Sequence, residues 1–134
     1  MRAKRGFTLI ELSIVFALIG ALAAIGLHAF AGSRERAEAT EALHNLATIV
    51  SLELAFPGGP IPCEPAPAAV PDIATAWVPS EGFERLGFSP GLTTRFQYSV
   101  SVPSSEGEPF VVRAESQDYA FEHRSDRREA TEVP

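Results

Sequence analysis

Cysteine and lysine are nearly missing from this 134-residue chain, with Cys63 and Lys4 the only examples, and proline is absent before Pro57. A single cysteine excludes an internal disulfide. The single lysine belongs to a leading cluster with Arg2 and Arg5; beyond that cluster eight arginines face seventeen acidic residues, a balance of −9. A body this acidic lacks the grouped Lys and Arg that hold phosphates, so nucleic acid is not an expected partner. Charge is also scarce from Phe7 to Gly32, where Glu11 and His28 are the only ionisable side chains. No Gly-rich phosphate loop and no metal-ligand pair at useful spacing occurs, so no cofactor and no metal are expected. The length allows one domain. A uniform cytosolic domain is excluded by the uneven placing of charge and proline.

What is present begins with an apolar run of 21 residues, 7–27. As a helix it spans about 31 Å, the thickness of a bilayer's hydrocarbon core. Positive charges ahead of such a span stay in the cytoplasm, which sends the rest of the chain to the periplasmic side. Residues 33–56 contain neither Pro nor Gly. There Ala39, Ala42, Leu43, Leu46, Ile49, Val50 and Leu54 recur at spacings of three and four, one stripe of an amphipathic helix. Arg34, Glu35, Glu38, Glu41 and Glu53 fall mostly off the stripe. Phe56-Pro57-Gly58-Gly59 stops the helix. One helix of about 75 Å is expected over residues 7–56, apolar all round in its first half (7–32) and on one side in its second (33–56). Gly20, Gly26 and Gly32 lower helix propensity by roughly 1 kcal/mol each. They permit close helix approach or local unwinding, and plain small-residue packing explains them equally well.

After Phe56 only 78 residues remain, too few for a large core of their own, so they are expected to borrow the striped helix face. Residues 57–93 read as a Pro-rich connection containing Trp77. Within it Ser80–Leu86 is expected to form a short helical turn, capped by Ser80 and stopped by Gly87. From Arg95 to Val102 apolar and polar residues alternate without a fault, as in a half-buried strand. Phe110, Val112 and Ala114 share one face of a second strand, and Tyr119, Phe121 and His123 one face of a third. The fold class is therefore α+β: a long N-terminal helix packed on a small antiparallel sheet of about three strands within 94–124. A charged tail, 125–134, is expected to fray.

Glu11 does not suit a plain anchor. A carboxylate inside an apolar span either reaches water at the membrane surface or has a partner or function. The surrounding residues are Lys4-Arg5-Gly6-Phe7-Thr8-Leu9-Ile10-Glu11-Leu12-Ser13-Ile14-Val15, followed by Ala17, Gly20, Leu22, Ala23, Ala24 and Ile25. This stretch closely resembles the processing motif of type IV prepilins and type II secretion pseudopilins, over about residues 1–36. The resemblance implies a leader, residues 1–6, that a prepilin peptidase removes after Gly6, with N-methylation of the new terminus Phe7. It implies assembly through Thr8, Leu9, Ile10 and Glu11, with Glu11 of one copy paired to the Phe7 amine of the next. It also implies other pilin subunits, an inner-membrane assembly platform and, before assembly, membrane lipid as partners. The expected location is the bacterial inner membrane, single-pass with a periplasmic C-terminal domain, and then a pilus or periplasmic pseudopilus. Many family members carry a proline where His28 stands and a tyrosine where Phe30 stands, so a straighter helix is expected here.

Other readings compete. Ala29-Phe30-Ala31 has the small-x-small form of a signal peptidase site, whose use would release a protein starting at Gly32. A membrane-anchored periplasmic binding protein or enzyme is a further alternative, but His28, His44, His123 and Cys63 form no nucleophile with an orienting acid, and no enzyme is expected. The main expectation is a structural pilin subunit, with a type II secretion pseudopilin as the alternative. Adhesion, motility, DNA uptake and secretion all remain open from these residues.

Overall fold

The computed structural model describes residues 7–105 and 107–133, without the side chains of 27–32, 34 and 35. The leader with Gly6, and the side chains of His28 and Phe30, lie outside the described residues. The chain divides into two units, 1–37 and 38–134. Helix α1, Leu9–Ala55, runs from the first into the second and is continuous through position 28.

In the first unit, α1 is built from Leu, Ile, Val, Phe and Ala, which favour burial on every side. Among the described residues none buries them. Leu9–Gly26 has a mean hydropathy of 2.3 and none of that window is buried. Eleven large apolar side chains from Phe7 to Ile25 stand exposed. At about 2 kcal/mol for covering each, roughly 20 kcal/mol is at stake, so lipid or another protein must take the place of water. Length and composition suit a membrane span. Gly20 and Gly26 have open space around them.

The second unit contains the end of α1, short helix α2 (Glu81–Leu86), and strands β1 (Cys63–Ala66), β2 (Thr75–Ala76), β3 (Thr93–Thr94), β4 (Gln97–Ser101), β5 (Val111–Glu115), β6 (Ala120–Arg124) and β7 (Thr131–Val133). Five strands form one antiparallel sheet in the order β1-β4-β5-β6-β7, and β2 pairs with β3. The alternation read from Arg95 onward becomes β4, and its partners follow as β5 and β6. Register aligns Tyr98 with Ala114 and Phe121, and Val100 with Val112 and His123, so one sheet face is buried. That face shares a core with Ala42, Leu46, Ile49 and Val50 of α1. Asn45 ties helix to sheet by donating to the Tyr98 hydroxyl at 2.8 Å, and Arg95 meets Glu38 at 3.4 Å.

The sheet has two strands beyond the three expected. β1 comes from the Pro-rich connection and β7 from the charged tail, which pairs through Ala120 with Val133 and Glu122 with Thr131. Neither shows the alternating pattern: the register of β1 shifts between Cys63 and Ala66, and β7 is a three-residue strand with no buried residue. The connection also supplies β2, α2 and β3. Ser80 and Gly87 flank α2 as the composition implies: Gly87 takes the left-handed conformation at φ 74° and closes the helix end. The Ser80 hydroxyl does not cap α2 but donates to the Glu64 carbonyl at 2.9 Å.

One part of the helical stripe is corrected. Leu54, read as a stripe residue, is 66% exposed, whereas Glu53, read as lying off it, is 0% exposed. Positions 42, 46, 49 and 53 keep spacings of four, three and four, so the buried face reaches Glu53 rather than Leu54. A carboxylate is tolerated there because the returning connection brings donors to it.

Candidate assembly site at the helix N-terminus

Thr8 precedes α1, and the Leu12 amide donates to its carbonyl at 3.2 Å, which opens the helical ladder. The first amides of any helix lack partners within the helix. Here the Glu11 carboxylate turns back and accepts on Oε2 from the Thr8 amide at 2.9 Å and the Thr8 hydroxyl at 2.8 Å. The Thr8 hydroxyl oxygen in turn accepts from the Glu11 amide at 3.3 Å. This reciprocal pattern is a capping box, with Thr8 at the cap and Glu11 three residues on. The negative carboxylate also faces the positive end of the helix dipole.

The structure therefore gives Glu11 a partner within its own chain, which the sequence reading did not include. The signal was present as Thr-x-x-Glu ahead of an apolar run. Both hydrogen bonds use Oε2; among the described residues none reaches Oε1. Phe7, Leu9 and Ile10 surround this carboxylate in sequence and are exposed. Glu11 and Thr8 are brought together, whereas Gly6 lies outside the described residues.

Other residues singled out in the sequence lie elsewhere. His44 is exposed on α1. His123 is buried on β6 with Nε2 3.2 Å from the Arg127 carbonyl, and its Nδ1 has no partner among the described residues. Cys63 is buried and free. Burial first, and then the neighbouring Glu53 charge, push its thiol up to about 12, which keeps it protonated and poorly nucleophilic. Among the described residues, no group of three His, Cys, Asp or Glu is placed to hold a metal ion.

A long apolar N-terminal helix, long and apolar enough to cross a membrane, followed by an antiparallel sheet is consistent with the pilin fold. Residues 1–27 match the family model "prokaryotic N-terminal methylation motif". The chain is similar to the type IV major pilin protein PilA of Myxococcus xanthus, 32% identical over 105 residues, which covers 78% of this chain and 40% of that protein. It is also similar to a fimbrial protein of Moraxella nonliquefaciens, 57% identical over 42 residues, 31% of this chain and 27% of that protein. The chain thus spans less than half the length of these curated relatives. No solved structure matches significantly. The methylation motif and these similarities support the type IV pilin family, whose members are structural, non-enzymatic subunits.

Proposed function

We propose that this chain is a subunit of a type IV pilus-like filament. It is inserted in the inner membrane through the apolar half of α1, cut after Gly6 by a prepilin peptidase, methylated on Phe7 and polymerised by helix packing. The observation that carries this reading is the joining of two features. From Phe7 to Ile25 the chain exposes an apolar surface all round, and the entry of α1 carries a carboxylate with one oxygen committed to Thr8 and the other without a partner among the described residues. In the membrane, lipid covers the apolar surface; in a filament, the helices of other subunits do. Cleavage removes Arg2, Lys4 and Arg5, whose charges oppose extraction from the membrane, and creates an ammonium on Phe7. The open Oε1 of Glu11 then receives the ammonium of a neighbouring subunit while Oε2 keeps its own cap.

In this arrangement the apolar faces supply adhesion and the charge pair selects the axial register, because a misplaced neighbour leaves a charge unpaired in an apolar surrounding. Sheet and Pro-rich connection face outward, where their acidic surface is screened over about 8 Å at physiological salt. The deciding experiment is N-terminal sequencing and intact mass of the protein purified from cells with a prepilin peptidase. A methylated Phe7 terminus in a sheared filament fraction is expected. A terminus at Gly32, or a retained Met1 in otherwise piliated cells, overturns the reading.

A further inference from the structure

Among the described residues of the second unit, Glu53 is the carboxyl group held away from water. Glu53 is fully buried in the last turn of α1, the negative end of the helix dipole, where a carboxylate is disfavoured. Its Oε2 accepts from the Ile61 amide at 2.8 Å, and its Oε1 from the Cys63 thiol at 3.6 Å. Both donors are neutral. Along α1 the nearest ionisable residue before Glu53 is His44, more than two turns earlier, and residues 54–62 contain none. β4 offers only the phenol of Tyr98. β1 offers the Cys63 thiol and the exposed Glu64; α2 carries Glu81, Glu84 and Arg85, all exposed. The Arg85 charge acts on Cys63. So, among the described residues, the carboxylate is buried with no cation hydrogen-bonded to it, an arrangement that shifts the balance toward the neutral acid. Burial accordingly raises the proton affinity of Glu53 above the usual carboxylate range, against the opposing pull of the Ile61 and Cys63 hydrogen bonds.

We propose that Glu53 is a proton-operated clasp on the connection between α1 and β1: its buried carboxyl group holds the Ile61 amide and the Cys63 thiol, and one proton gained or lost there sets how firmly the connection is held. When the connection opens, Glu53 meets water and returns to its ordinary value near 4.5. The clasp is then at full strength below that pH, loosens as pH rises through the higher value of the closed form, and levels off above it. The device acts within one chain, so it stands or falls separately from the filament reading.

The test is amide hydrogen exchange at Ile61 in the full-length protein in detergent micelles, from pH 4.5 to 8, corrected for the intrinsic pH dependence of exchange. Protection in the wild type is expected to fall with rising pH, by up to about tenfold per pH unit, before it levels. Glu53→Gln, which keeps an acceptor for Ile61 but cannot ionise, is expected to show no such fall, and Cys63→Ala to retain it. Equal pH slopes in wild type and Glu53→Gln overturn the proposal, as does loss of the slope in Cys63→Ala. Carboxyl carbon shifts of Glu53 in the wild type give a second reading that needs no variant. A midpoint above 4.5 supports the clasp and one at or below it refutes it.

Discussion

Gly82 is the position where the architecture of the second unit can be tested most sharply. It lies in α2, where alanine ordinarily stabilises a helix by about 1 kcal/mol over glycine. The surroundings reverse that expectation. A Cβ at this position falls 2.8 Å from the Cys63 Cα, 2.8 Å from the Pro62 carbonyl oxygen and 2.9 Å from the Cys63 Sγ. Two of these atoms belong to the backbone of the connection and β1, so no side-chain rotation relieves the contact. Ordinary contacts begin about half an ångström further out, and α2 has to retreat. It carries the buried Phe83 and Leu86, and Phe83 packs against Trp77 and Phe88 at ring separations of 5.7 and 5.6 Å. Overpacking of this kind costs about 1–3 kcal/mol. With the helical gain subtracted, the net cost spans about 0–2 kcal/mol, and Gly82→Ala should destabilise the second unit by about 1 kcal/mol. For a unit of this size that lowers the melting temperature by about 4–8 °C. The assay is thermal unfolding followed by Trp77 fluorescence, with Gly20→Ala as control, since nothing lies near that glycine. Adding Cys63→Ala should rescue Gly82→Ala only in part, because the backbone contacts remain. A melting temperature for Gly82→Ala at or above the wild-type value would refute the close seating of α2 on β1.

Three further outcomes are expected. Glu11→Gln keeps an acceptor for Thr8 but loses the charge, so filament yield should fall nearly as far as in Glu11→Ala, while Thr8→Val should be milder; wild-type yield from Glu11→Gln would show that capping alone matters. Gly6→Val should leave an uncleaved precursor by intact mass, and loss of the six-residue leader from that variant would sink the cleavage assignment. The Cys63 thiol, pushed up to about 12, should resist alkylation at pH 8 in the folded protein and react readily in denaturant; rapid labelling of the native protein would contradict its burial.

The filament reading links these residues to function through one physical idea. An apolar helix that the described residues of its own chain leave uncovered needs lipid or another protein around it. The second unit owes its integrity to the core shared by α1 and the sheet.

Local periodicity made much of this legible in advance. The long helix, the apolar span, the strand at Gln97–Ser101 and the buried faces of β5 and β6 follow from spacings of three to four and of two, which any segment reveals by itself. The Gly87 stop of α2 follows from turn chemistry in the same way, whereas the Ser80 hydroxyl bonds to Glu64 instead of capping the helix. The tertiary structure alone decided the rest. β1 and β7 are short edge strands without an alternating pattern, β1 with a register shift within it, so their pairing was not legible from their own residues. Gly82 is demanded by a backbone nineteen positions earlier. Glu53 is buried because its donors, Ile61 and Cys63, arrive only after the chain has turned back. A sequence displays the preferences of each segment; which polar groups meet in the interior depends on where distant segments come to rest.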